Sequence, residues 1–313
     1  MHKRDINHES IGNKLLHNSF LPIEDLYSKS SIDNFNNKFE PLFSEQSNPR
    51  RYVDSLGIYN LGLIEEVFTP KLLSLIYDII PDPILYHCHS YEIDGFNSKS
   101  HIANDNFLNG WHRDIDCIHD LDRVEIQHVS LFIYLTDVGD GDGAFQICNK
   151  QLGYLPRLFR SSKFYSVMGN RGCSFLFNRT ATHRASPNRN STNRRVLKIS
   201  FQSKNTPSHK LSSNILSHDK HFKLVEVCKL IPESNILLRS LFGDKKVDNR
   251  EVSLAINELR INTNIPRVNS LNTYQINIKM LPMEEFRGYI RDCFYISKLV
   301  IYKIKQALRN YNS

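Results

Sequence analysis

Apolar positions follow helical spacing over about 68–80, strand spacing from about 84 to 204, and helical spacing again beyond about 222. Up to about residue 50 the sequence is rich in Asn, Ser and charge with only short apolar clusters. That composition predicts a loosely structured lead-in with one short helix. Phe68-Thr69-Pro70 is a helix-start signal, and Leu72, Leu73, Leu75, Ile76, Ile79 and Ile80 supply a helical apolar face that Pro81 and Pro83 stop. From Ile84 the period becomes two. Residues 84–91 read as a strand before an Asp94-Gly95 turn, and 124–135 is the clearest β segment, with branched and aromatic residues throughout. It runs into the sharp loop 137–143, after which 144–148, 173–177 and 196–201 read as further strands. Short strands separated by turn signals predict a sandwich or barrel. Beyond Lys204, Pro207 and the polar stretch 208–217 form a connector, and 222–230, 251–259 and 284–311 read as helices. The expected organisation is a partly helical N-terminal extension over 1–84, a β core over 85–204, and a mostly helical C-terminal extension over 205–313.

Composition narrows the class. With 313 residues, 40% of them hydrophobic and 23% charged, a packed core is feasible and global disorder is excluded. No apolar run approaches ~18 residues, so no transmembrane helix is expected. Residues 1–7 are basic but lack an apolar stretch behind them, unlike a secretory signal. The six cysteines lie far apart without a Cys-x-x-Cys, which predicts reduced thiols in a cytoplasmic protein and gives no support to a disulfide scaffold or structural zinc.

The net charge of +7 is unevenly spread: from Gly143 to His218 there is no Asp or Glu. Such asymmetry points to an anionic partner, whether a dicarboxylate, a phosphorylated or acidic-sugar substrate, or a membrane surface. A solvated basic face is the plain alternative. Nucleic acid is not expected, because no binding motif accompanies the charge. In 284–311 the apolar residues Ile290, Phe294, Val300, Ile301, Ile304, Leu308 and Tyr311 alternate with basic ones. That helix either makes peripheral membrane contact or, the favoured reading, docks on the core or on a second subunit.

The candidate chemistry lies in Gly110-Trp111-His112-Arg113-Asp114, taken with Thr182-His183. On an extended segment, His112 and Asp114 leave the same face, and His183 follows the strand 173–177. Two imidazoles and one carboxylate form the facial triad of non-haem Fe(II) oxygenases, which leaves positions on the metal for a co-substrate and O₂. Asp116 is an alternative carboxylate. His87 and His89 share a strand face and read as core or pocket-lining residues in preference to a second metal site, while His119 and His128 read as surface or loop residues.

Residues 85–203 resemble the phytanoyl-CoA dioxygenase family of Fe(II)- and 2-oxoglutarate-dependent oxygenases. Trp111-His112-Arg113-Asp114 is similar to the family's Trp-His-x-Asp. Residues 131–138 followed by Gly143-Ala144 resemble its strand, acidic loop and Gly-Ala segment. The run 172–177 before His183, and then Pro187-Asn188 and Arg194, reproduce its distal motif, with Arg194 eleven positions after His183. The chain departs from the family pattern at Cys148-Asn149-Lys150-Gln151 and at Ala185.

The resemblance implies a mainly β protein with flanking helices, whose double-stranded β-helix (jelly-roll, cupin-like) core carries helical N- and C-terminal extensions. It implies His112, Asp114 and His183 as metal-binding catalytic residues. Fe(II), 2-oxoglutarate and O₂ are then the cofactor and co-substrates, with Arg194 gripping the distal carboxylate of 2-oxoglutarate. Arg195 would point to the opposite face, so only one of the pair can serve. Tyr134 either bonds the co-substrate or packs. With Asp114 present, the implied reaction is hydroxylation of an unactivated C–H bond of an anionic small molecule or a sugar- or lipid-linked substrate. Desaturation, cyclisation or a non-catalytic binding module are the alternatives.

Overall fold

The lead-in is built into the fold, which corrects the expectation of a loose segment. In the computed structural model the described residues are 10–97, 110–112, 114, 128–149, 163–204, 223–266, 268 and 276–283, with scattered helical positions between 290 and 308. Ser10 caps α1 (Ile11–Asn18) by accepting the Asn13 N–H, and Ser28 caps α2 (Lys29–Ser44) through Ser31, with β1 (Phe20–Ile23) between them. Ile32, Phe35, Phe39 and Phe43 of α2 recur three and four apart and are all buried.

After β2 (Arg50–Val53), α3 (Ser55–Asn60) and α4 (Ile64–Val67) comes α5 (Pro70–Ile79), with Thr69 as its cap and Pro in its first turn, as the sequence predicts. The strand-spaced region gives β3 (Pro83–Ile93), β4 (His128–Tyr134), β5 (Phe145–Cys148), β6 (Phe164–Gly169), β7 (Ser174–Asn178), β8 (His183–Ala185) and β9 (Arg194–Ser203). Helices Leu224–Leu230, Ile236–Leu241 and Asn249–Asn262 follow, then β10 (Ile276–Met280). Residues 124–127 of the expected strand, the connector 208–217, and most of 284–311 lie outside the described residues.

The strands form two antiparallel sheets, ordered β1-β7-β4-β9-β3-β2 and β10-β6-β5-β8. Alternation along the larger sheet sends Leu131, Ile133, Leu176, Leu197 and Ile199 into one core with Leu15, Phe35, Phe39, Leu72 and Leu75 of the helices. The opposite face, with Tyr91, Phe132, Phe175, Phe177 and Val196, packs on Phe145, Ile147 and Val167 of the smaller sheet. Burial on both faces explains the unbroken apolar runs Leu131–Tyr134 of β4 and Phe175–Phe177 of β7. Each fully buried Leu, Ile or Phe contributes about 1.5–3 kcal/mol.

Neighbouring arginines tie the N-terminal layer to the sheet. Arg51, Glu92 and Arg195 are register partners across β2, β3 and β9. Glu92 accepts from Arg51 Nη2 at 2.7 Å and from Arg195 Nε and Nη2 at 3.0 and 2.6 Å, and Arg195 also reaches Glu40 on α2 at 2.7 Å. Glu92→Gln keeps the shape but removes the charge that both guanidiniums share. Urea unfolding is expected to register a loss of about 2 kcal/mol without a change in slope.

Among the described residues no helix is long and apolar enough to cross a membrane. Ile290, Val300, Ile301, Ile304 and Leu308 are helical and exposed, which corrects the core half of the docking expectation and leaves its other half, docking on a second subunit, as an expectation.

Candidate metal centre

Gly110 adopts a positive φ of 79°, a turn conformation that favours glycine, and delivers Trp111 into the structure. The indole is buried, edge-on to Phe164 at 4.9 Å between centroids, with the Arg184 guanidinium 4.6 Å from its ring centre. So anchored, His112 exchanges both backbone hydrogen bonds with His183, N to O at 3.0 and 2.9 Å. The other edge of β8 pairs with β5, which sets His183 opposite Ile147. The sequence expectation of a strand holding both His112 and Asp114 is corrected here. His112 occupies an isolated antiparallel bridge and Asp114 lies in a bend.

The three side chains nevertheless converge. Asp114 Oδ1 is 3.7 Å from His112 Nε2 and 3.6 Å from His183 Nε2, and the possible ligand atoms all lie within 4.8 Å of one another. Each imidazole has its other nitrogen fixed: His112 Nδ1–H donates to Gly110 O at 2.8 Å, and His183 Nδ1–H donates to Ala181 O at 2.9 Å. Both Nε2 lone pairs therefore face Asp114, the arrangement a ligating histidine needs. Burial and the neighbouring His183 push His112 down to about 4, so it is neutral at pH 7 and need not lose a proton to ligate. This donor set fits a divalent transition metal such as Fe(II).

The second oxygen of Asp114 is held from the other side. Arg179 Nε donates to Oδ2 at 3.0 Å and Lys198 Nζ at 3.4 Å. Burial alone would push the Asp114 carboxyl up, but Lys198, Arg179 and His183 hold it well below the usual carboxylate range. The carboxylate is thus charged, with Oδ1 free to face the imidazoles. Phe145 and Phe177 pack against the His183 ring at 5.4 and 4.9 Å between centroids.

Arg194 and Arg195 part company as strand alternation requires. Arg195 is committed to Glu92 and Glu40 on the helix-facing side. Arg194 is 2% exposed on the other side; it donates to Gly143 O and, at 3.3 Å, to the Tyr91 hydroxyl. Gly143 has a φ of 74°, and a Cβ there would lie 3.3 Å from Ser186 O, so a side chain at this approach would be strained. Tyr134 is occupied within the fold: its hydroxyl donates to Val167 O at 2.8 Å and accepts the Phe145 N–H at 3.0 Å. His87 and His89 are buried side by side on β3, with ring centroids 4.8 Å apart. His128, expected on the surface or in a loop, is buried within β4 opposite Gln202. Asp116 and His119 lie outside the described residues.

Sequence reasoning passed over Arg50, Arg179 and Lys198. Lys198 carried a usable signal, since it lies four positions after Arg194 on a strand and so shares its face. Nothing local marked Arg179 or Arg50.

No family model matches the chain, and no curated protein matches it. Among solved structures it is similar to the non-haem α-ketoglutarate-dependent epimerase SnoN from nogalamycin biosynthesis. That likeness has 10% identity over 60% of this chain and 79% of the other, with a TM-score of 0.45. It is also similar to HygX from Streptomyces hygroscopicus with nickel and 2-oxoglutarate bound, at 14% identity over 61% and 85% of the two chains, TM-score 0.41. A third is the nickel complex of the non-haem monooxygenase ThoJ, at 11% identity over 70% and 99%, TM-score 0.46.

Proposed function

We propose that the protein is an Fe(II)- and 2-oxoglutarate-dependent dioxygenase that hydroxylates an unactivated C–H bond of an anionic small molecule or a sugar- or lipid-linked substrate. The observation that carries this reading is the convergence of His112, His183 and Asp114 Oδ1, with each imidazole Nδ1 already satisfied by a carbonyl. The motif resemblance to the phytanoyl-CoA dioxygenase family supports it through residues beyond the triad as well, among them Gly143-Ala144, Pro187-Asn188 and Arg194. The strand order supports a jelly-roll core: β3, β9, β4 and β7 lie side by side in one sheet, while β6, β5, β8 and the His112 bridge do so in the other.

Iron, 2-oxoglutarate and O₂ would together supply an oxidant strong enough for C–H cleavage, with succinate and CO₂ as co-products. The chain's own contribution is placement. His112, His183 and Asp114 would hold the metal on one face and leave the other open. Arg179 and Lys198 turn one carboxylate oxygen away from that site and keep Asp114 charged. Phe145 and Phe177 wall His183 with apolar surface and limit water. Arg194 presents a planar, permanently charged fork for a carboxylate.

Arg194→Gln is expected to weaken 2-oxoglutarate about tenfold to a hundredfold in calorimetric titrations of the Mn(II)-loaded protein, leaving Mn(II) affinity near that of the wild type. Succinate formation with candidate substrates, followed by product analysis, tests the reaction class. A product lacking a new hydroxyl moves the reading to desaturation or cyclisation.

A further inference from the structure

The row of the larger sheet that carries Glu92 has a counterpart on its other face. Arg50, Ile93 and Arg194 are register partners across β2, β3 and β9, one residue out of step with Arg51, Glu92 and Arg195. Their side chains therefore leave the sheet on the face that carries Tyr91 and Lys198, opposite the helices. In the helix-facing row two guanidiniums share a central carboxylate. In the row on the opposite face the central position is isoleucine, and neither arginine has an ion-pair partner among the described residues.

Both guanidiniums border one tyrosine. The guanidinium carbon of Arg50 is 4.9 Å from the Tyr91 ring centre and 5.1 Å from that of Tyr52, and the carbon of Arg194 is 5.6 Å from Tyr91. Nε and Nη1 of Arg50 and Nε of Arg194 are buried without a hydrogen-bond partner among the described residues. Burial lowers the Arg50 pKa and nearby Arg194 lowers it further, although Tyr52 and Tyr91 oppose the shift. Further along the same face, Lys198 and Arg179 already share the one carboxylate of Asp114. Among the described residues, this face of the sheet thus holds more buried positive charge than carboxylates to offset it. Buried charge without a counterion is costly, so a ligand that brings an anion is favoured.

We infer that Arg50, beside Arg194, binds an anionic oxygen group, a carboxylate or a phosphate, of a ligand held beside His112, Asp114 and His183. The group belongs either to the distal end of 2-oxoglutarate or to the primary substrate. In both cases β2 of the N-terminal segment supplies a binding residue to that group. The inference deepens the proposed function and rests on it for the identity of the neighbouring site, but its first test needs neither iron nor turnover.

The metal-free, full-length protein is titrated with inorganic phosphate by calorimetry, with circular dichroism confirming that each variant is folded. The expected result is saturable binding by the wild type and about tenfold or greater weakening in Arg50→Gln. Arg50→Lys, which keeps the charge without the planar fork, falls between them. Arg171→Gln, at an exposed arginine paired with Asp33, leaves binding unchanged. Equal phosphate affinity in wild type and Arg50→Gln, or no saturable binding by the wild type, overturns the inference.

A second titration, of the Mn(II)-loaded protein with 2-oxoglutarate, separates the two sources. Weaker 2-oxoglutarate binding in Arg50→Gln assigns the group to the co-substrate. Unchanged 2-oxoglutarate affinity, with phosphate still binding the wild-type Mn(II)·2-oxoglutarate complex, assigns it to the substrate. A wild type that binds phosphate but neither Mn(II) nor 2-oxoglutarate would leave the anion site standing and overturn the oxygenase reading.

Discussion

Asp114→Ala is expected to abolish Fe(II)-dependent succinate formation and, separately, to destabilise the fold. The first effect follows from removing the only carboxylate among the three converging ligands. Disturbing even a supporting residue of a metal ligand costs about 10–100-fold in affinity, and loss of the ligand itself costs at least the upper figure. The second effect comes from the far side of the carboxylate. The side chains of Arg179 and Lys198 are 3% and 15% exposed, and Asp114 is the carboxylate that both contact. Taking one partner from a buried ion pair costs about 3–5 kcal/mol. Lys198, already pushed below its ordinary pKa by burial despite the attraction of Asp114, can relieve part of this by losing its proton, so the lower end of that range is expected. Asp114→Asn separates the effects, since it keeps an oxygen for Arg179 and loses only the charge. Mn(II) titration and urea unfolding of both variants measure the two losses.

Acid is expected to unfold the metal-free protein well before its carboxylates protonate. Burial pushes His87 and His89 well below the ordinary histidine value, helped by Lys198 and by Arg179 or Arg50, and burial with His183 brings His112 to about 4. These histidines are neutral in the fold but titrate near 6.5 in the unfolded chain. Below pH 6.5 the unfolded state binds more protons, so stability falls as pH falls, and for His112 the loss continues down to about pH 4. Each histidine contributes about 1.4 kcal/mol per pH unit in that window. Acting together, His87, His89 and His112 give a slope of about 4 kcal/mol per pH unit, a large share of a typical domain's stability. Urea midpoints between pH 7.5 and 5 measure it. Replacing His87 and His89 with Gln is expected to flatten the slope, and a wild-type midpoint that does not move would contradict the assignment.

Period and motif carry much of this layout. Two-residue alternation by itself separates Arg194 from Arg195, because adjacent residues on a strand must face opposite ways. The same rule places Lys198 on the Arg194 face. Other parts are hidden for physical reasons. Phe35, Phe39 and Phe43 sit among Asn, Lys and Glu, so a helix with one buried stripe looks like scattered apolar clusters. β8 is only three residues long and is defined by pairing with β5, far away in sequence. Asp114 leaves the extended path expected for it because its carboxylate is held by Arg179 and Lys198, contacts no local pattern encodes. Arg50 is invisible for the same reason, since its role depends on β2 lying against β3.

The most direct test of the central claim is anaerobic calorimetry of Fe(II) and then 2-oxoglutarate into the wild type and His183→Ala, followed by admission of O₂ and assay of succinate. The expected result is one Fe(II) per chain, 2-oxoglutarate binding that depends on the metal, and succinate from the wild type alone. A wild-type protein that binds neither Fe(II) nor 2-oxoglutarate, or a His183→Ala variant that binds both and forms succinate as readily, would contradict it.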